Sequence, residues 1–111
     1  MATLSSHLLN SVNGTHAGGV KMIIYQINSS GSKTIFFETE TDDGGRIIKD
    51  FELSSDDCAC EYEMVCKTAD YFSEKKVVSE IIIKFKMEDP KKKYHLPIII
   101  SPNGYSIWWS N

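Results

Sequence analysis

Apolar and polar residues alternate along much of this chain. Ile81, Ile83, Phe85 and Met87 are interleaved with Ile82, Lys84 and Lys86. Tyr62, Met64 and Cys66 alternate with Glu61, Glu63 and Val65, and Tyr25 and Ile27 flank Gln26. A period of two sends successive side chains to opposite faces, so these segments predict β-strands rather than helices. Turn-forming residues punctuate them: Asn13-Gly14, Asn28 to Ser32, Asp42-Asp43-Gly44-Gly45, Asp89-Pro90 and Ser101-Pro102-Asn103-Gly104. Eight runs lie between the turns: Leu4–Asn10, Val20–Ile27, Thr34–Glu40, Arg46–Phe51, Cys60–Lys67, Ile81–Met87, Tyr94–Ile100 and Tyr105–Ser110. Short strands at this spacing predict an all-β sandwich or barrel. One segment departs from the pattern. Thr68 to Lys75 opens on an N-cap residue and carries acid early and lysine late, which predicts a short helix of about two turns.

The length, 111 residues and 12.5 kDa, predicts a single domain over 1–111. A chain this small buries a limited core, so self-association would add stability. A net charge of -3 argues against a nucleic-acid partner, and no apolar run approaches membrane-spanning length. The start, Met1-Ala2-Thr3-Leu4-Ser5-Ser6, has no basic or long apolar stretch of a secretory signal, and the end is not Ser-Lys-Leu. The expectation is a cytoplasmic rather than peroxisomal protein with no membrane partner. Cys58, Cys60 and Cys66 lack paired zinc-site spacing; they are expected as free thiols, with Cys60 and Cys66 as small core residues of a strand. Lys91-Lys92-Lys93 follows a turn and predicts a solvated hairpin tip. No cofactor or metal is called for.

Four residues carry candidate chemistry. Arg46 is the lone arginine, presented by Gly44-Gly45; its planar donor fork suits a carboxylate, a polar ring or a developing oxyanion, or simply a surface ion pair. His7 shares a strand face with Ser5 and Leu9. His95 shares one with Pro97, Ile99 and Ser101, turned away from the apolar face of Ile98 and Ile100. If the strands near the two chain ends are neighbours, these histidines meet and can act as general base and general acid. His16, in His16-Ala17-Gly18-Gly19, reads as a loop residue. Trp108 and Trp109 are large aromatics near a terminus, which points to burial against a partner copy or in a pocket.

Three segments carry a resemblance. Ser6-His7-Leu8-Leu9-Asn10, then Gly14, then Ala17-Gly18-Gly19-Val20 resembles the opening of the transthyretin-like family. Thr41-Asp42-Asp43-Gly44-Gly45-Arg46 resembles its Thr-x-x-Asp-Gly-Arg segment, with Gly44 in place of aspartate. Tyr94 to Ser106 is similar to its Tyr-His-Val-Pro-Leu-Leu-Leu-Ser-Pro-x-Gly-Tyr-Ser signature almost position by position. The match is to the 5-hydroxyisourate hydrolase branch, because the hormone-carrier branch lacks the histidine pair. The resemblance implies a two-sheet sandwich and a homotetramer, a dimer of dimers with active sites at the dimer–dimer interface. It implies catalytic roles for His7, Arg46 and His95, opening the ring of 5-hydroxyisourate in urate catabolism without a metal. It also implies that the C-terminal strand lines the substrate site, which makes Ser106, Trp108, Trp109 and Asn111 candidate substrate-binding residues.

The tail departs from that family. Its Tyr-Arg-Gly-Ser ending is replaced without a gap by Trp108-Trp109-Ser110-Asn111, and the aspartate of its opening is Asn10. Losing a cation and gaining an indole suits a more apolar ligand. Two alternatives therefore stand beside the hydrolase: a repurposed member acting on a different small ring as hydrolase, cyclase or isomerase, and a non-catalytic carrier of a small aromatic ligand.

Overall fold

A computed structural model describes residues 1–73 and 77–110. The elements, in order, are β1 (Ala2–Asn10), β2 (Thr15–His16), β3 (Lys21–Ile27), β4 (Lys33–Glu40), β5 (Arg46–Phe51), α1 (Ser55–Ala59), β6 (Glu61–Cys66), β7 (Ile81–Lys86), β8 (Lys93–Ser101) and β9 (Gly104–Ile107). Two sheets form the sandwich. One runs β4-β3-β6-β7, all antiparallel. The other runs β2-β1-β8-β9, with β5 also paired to β1. Leu4, Leu8, Ile98 and Ile100 from the second sheet meet Met22, Ile24, Tyr62, Met64 and Ile81 from the first, all fully buried. The alternation that predicts strands is thus the alternation that fills the core. No helix among the described residues is long and apolar enough to cross a membrane.

Several expectations change in detail. The inward side of β3 carries Met22, Ile24 and then Gln26, with Tyr25 and Ile27 on the other side. Gln26 sits across from Tyr62, and its amide donates to Asp57 Oδ1 at 2.9 Å and to the Tyr62 hydroxyl at 3.0 Å. A polar group at the core's end is tolerated because it is bonded. Glu63 and Val65 face outward from β6 yet are buried, since β6 is a central strand; Lys33 pairs with Glu63 at 2.9 Å. The chain also forms α1, which the alternation does not predict. Ser54 Oγ accepts from Asp57 N at 3.1 Å and Asp57 Oδ2 accepts from Ser54 N at 2.9 Å, a reciprocal capping box. Cys60 therefore ends α1 rather than starting a strand, while Cys66 is a buried strand residue as expected. All three cysteines are free thiols. Where the longer helix is expected, only a 3-10 turn over Thr68–Asp70 forms; Glu74 and Lys75 lie outside the described residues.

The edge of β1 decides where the site forms. One side pairs in parallel with β8 from Thr3 to Asn10. The other side is shared end to end: β5 pairs with Ala2 to His7, and β2 pairs with Leu9 and Asn10. Between them, Leu8 N donates to Gly45 O at 2.7 Å and Leu8 O accepts from Ala17 N at 2.9 Å. Gly45 has φ of 73°, and a Cβ there would lie 2.4 Å from Leu8 O and 3.0 Å from Ala17 N. Any other L residue is strained and collides with two backbones that cannot yield. Buried Thr41 ties the adjoining segments, donating to Ala17 O at 2.7 Å and accepting from Val20 N at 2.9 Å.

Gly45→Ala should therefore lose about 2–3 kcal/mol in urea unfolding, the cost of a strained φ plus displaced backbone. Gly14 also has positive φ, at 72°, but a Cβ there meets nothing within 4 Å. Gly14→Ala should cost about 1 kcal/mol, a smaller loss read from the same unfolding curves.

Candidate active site

The outward face of the β1 sheet collects the candidate residues in rows set by register. Arg46 lies across from His7, and His7 across from Pro97. The Trp108 N–H donates to Pro97 O at 3.4 Å, which extends that row to Trp108. In the next row Ile48 faces Ser5, Ser5 faces His95, and His95 bridges to Ser110. On the other side, Leu9 faces Ile99 and Ile99 faces Ser106. The strands at the two chain ends are neighbours, so His7 and His95 do share one face.

Each side chain is held differently. Ser5 Oγ lies 2.8 Å from His95 Nδ1, and the His95 carbonyl accepts from Ser110 N at 2.9 Å. One ring nitrogen of His95 is thereby fixed, while Nε2 has no hydrogen bond among the described residues. Arg46 is exposed and its guanidinium forms no ion pair among the described residues; its backbone N–H donates to Asp42 Oδ1 at 2.9 Å, which anchors the turn beneath it. The surface ion pair is thus not the state of this arginine. An unpaired guanidinium keeps all its donors for a ligand.

His7 Nε2 lies 2.8 Å from His16 Nδ1, with the rings stacked at 5.0 Å between centroids and 28° between planes. His16 is not a loop residue: it forms β2 and pairs with Leu9, two positions along from His7. Sequence reasoning missed it because a two-residue strand shows no periodicity. The available signal was Asn13-Gly14, a tight hairpin that folds the chain back beside β1. Ser5 was placed on the His7 face but not against His95.

Partial burial is the main cause that holds the pKa of His7 below its ordinary value of 6.5. The Arg46 cation and the neighbouring His16 and His95 push the same way, while the Gly44 backbone opposes them.

The tail divides by parity. Ser106, Trp108 and Ser110 share the His95 side, but Trp109 goes to the other. Its ring is capped by Lys92 Nζ at 4.5 Å from the centroid, and it lines a separate depression of about 360 Å³ with Phe85, Tyr94 and Leu96. The expectation that Trp109 joins the histidine site is therefore corrected: antiparallel pairing of the tail with β8 fixes alternate residues on alternate faces. Asn111 lies outside the described residues. A second depression, of about 540 Å³, is lined by Ser5, His95, Ser110, Ile48 and Lys93, one row from His7 and Arg46. No group of three or more potential metal-ligating side chains forms among the described residues.

The charge arrangement predicts a titration. Arg46→Gln should raise the His7 midpoint, read from its imidazole resonances. A base whose folded pKa lies below its unfolded value binds more protons when unfolded, so the contribution of His7 to stability is full above about pH 6.5 and is lost as pH falls from there through the lower folded value. Equilibrium unfolding between pH 7 and 5 should show this slope, and His7→Phe should reduce it.

Comparison with known proteins agrees with this architecture. Residues 4–109 match the model of the HIUase/Transthyretin family. The 5-hydroxyisourate hydrolase of Halalkalibacterium halodurans is 26% identical over 95% of this chain and 94% of its own length. That of Salmonella typhimurium is 32% identical over 95% of this chain and 78% of its own. Among solved structures, Klebsiella pneumoniae 5-hydroxyisourate hydrolase superposes with a TM-score of 0.78 at 25% identity, covering 98% of this chain and 99% of that one. Sparus aurata transthyretin superposes at 0.80 with 22% identity, over 96% and 95%. The chain belongs to the HIUase/Transthyretin family.

Proposed function

We propose that this chain is a hydrolase that opens the ring of 5-hydroxyisourate in purine catabolism. The observation that carries the reading is one open sheet face bearing a neutral-leaning imidazole, an unpaired guanidinium and a second imidazole with a free Nε2. Two imidazoles on one face suit an acid–base pair near neutral pH. Water is deprotonated from the His7 or the His95 end and attacks a ring carbonyl carbon. Arg46 stabilises the oxyanion that develops. The ring C–N bond then breaks, and the histidine at the opposite end supplies the proton to the leaving nitrogen. Relatives over nearly the whole chain carry the name of this activity, which supports it.

The open face also supports self-association. Ile48 is 75% exposed beside Ser5, and Trp108 is about half exposed. A dimer of dimers that covers this sheet would bury them and enclose the site, as the family resemblance implies. Trp108, beside Pro97 and on the His7 row, is what favours the second reading, in which the site takes a more apolar ring.

Stopped-flow ultraviolet absorbance on freshly generated 5-hydroxyisourate tests the proposal. The purified protein should accelerate decay, and His7→Ala or His95→Ala should each cut the rate roughly 100-fold or more. A folded protein that gives no acceleration would overturn it. If Trp108 redirects the site, Trp108→Tyr should improve turnover of this substrate.

A further inference from the structure

The contact between His7 and His16 is built by the hairpin that precedes β3. Asn13-Gly14 turns the chain back on β1: Gly14 N donates to Asn10 O at 2.8 Å, and Asn13 Oδ1 accepts from Thr15 N at 3.0 Å and from Thr15 Oγ1 at 2.8 Å. β2 then pairs Thr15 with Asn10 and His16 with Leu9, and Ala17 N donates to Leu8 O at 2.9 Å. The backbone of His16 is thus fixed on both sides. Its side chain shares the face of Leu9, and the neighbouring residue of β1 on that face is His7. Diagonal pairs across antiparallel strands are within reach of ring side chains. The two rings close that gap, with His7 Nε2 2.8 Å from His16 Nδ1 and the planes stacked.

Each imidazole of the candidate site is therefore held by a side chain. Ser5 Oγ engages His95 Nδ1 at 2.8 Å, and His16 Nδ1 engages His7 Nε2 at 2.8 Å. In its own row His7 lies between Arg46 and Pro97, and neither side chain hydrogen-bonds its ring among the described residues.

We propose that His16 is a positioning residue for His7, holding its ring through Nε2 and accepting the Nε2–H when His7 is charged. The inference rests on the hydrolytic reading above and adds a fourth side chain to it. It holds whichever nitrogen carries the hydrogen in the neutral pair. Acid–base work takes His7 through the imidazolium in either role, base or acid. An imidazolium carries hydrogen on both nitrogens, so Nε2 then donates, and Nδ1 of neutral His16 is the acceptor facing it. A hydrogen bond from a charged donor is roughly twice as strong as one between neutral groups. The contact therefore strengthens at the step that moves the proton and not on substrate binding. Arg46, His95 and partial burial all disfavour charge on His7, and a cation on His16 would do the same. The pair accordingly takes one proton rather than two near neutral pH. The Gly44 backbone is the other group that favours the charged ring.

Two substitutions separate the hydrogen bond from the stacking. His16→Phe keeps a ring against His7 and removes the nitrogen. His16→Asn removes the ring and keeps a polar atom at the Nδ1 position, and its amide presents oxygen or nitrogen as the contact requires. His16→Phe should lower kcat for hydroxyisourate roughly tenfold or more with KM within about twofold, and His16→Asn should recover most of that loss. Full kcat in His16→Phe would overturn the proposal. Equal loss in both variants would also overturn it, because the imidazole of His16, rather than its hold on His7, would then be what the reaction needs. Carbon relaxation of the His7 ring reads the hold without substrate. The ring should be ordered in the wild-type chain and in His16→Asn, and mobile on the nanosecond scale in His16→Phe. A ring equally ordered in all three would overturn the proposal even if hydroxyisourate is turned over. Absence of turnover by the wild-type chain would remove the hydroxyisourate reading alone, with the relaxation data still deciding whether His16 holds His7.

Discussion

The site depends on how the backbone of Leu8 is satisfied. One edge of β1 needs a hydrogen-bond partner along its full length, and no single strand supplies it. Leu8 N–H turns to Gly45, just before the start of β5, and Leu8 C=O to Ala17, just past the end of β2. Backbone groups in a sheet cannot be left unpaired without cost, so this handover is enforced rather than incidental. It brings the ends of two strands to the same point beside His7. Arg46 follows Gly45, and His16 precedes Ala17. The chemistry-bearing side chains therefore sit at a seam in the sheet, where two separate strands contribute to one residue's surroundings.

The seam also explains the electrostatics. A cation and two further imidazoles close to His7 would be unfavourable if every group were charged. The tension is relieved by leaving His7 neutral, and it is contained by the turn that carries Arg46. Asp42 accepts from both Gly44 N and Arg46 N at 2.9 Å, so the acidic side chain is used on backbone and does not neutralise the guanidinium. A positive, partly desolvated face results, suited to negative charge developing on a small bound molecule.

Much of this was legible in the residues, and the failures have identifiable causes. Alternation located the long strands because each has one buried face. Motif similarity located His7, Arg46 and His95, and parity alone put His7 with Ser5 and His95 with Pro97. What alternation cannot show is register between distant strands, so the Ser5–His95 contact was hidden until β1 and β8 were seen side by side. Alternation also does not show which face of β3 is buried, and Gln26 lies on the inward one because Asp57 and Tyr62 provide partners at the core's end. The tail was read as one surface, although Trp108 and Trp109, being adjacent in an extended chain, must face opposite ways.

The parallel pairing of β1 with β8 has a consequence for how the molecule is made. Ser5 and His95 are ninety residues apart in sequence yet bonded in space. Synthesis delivers β1 well before its parallel neighbour β8. Until then one edge of β1 is bare, and everything between is a loop whose closure entropy must be met before the contact forms. A nascent chain can assemble the β3–β4 hairpin and the His7–His16 contact early, because those are local. His95 joins His7 only once β8 has been made, so the face that carries both histidines forms after the local contacts.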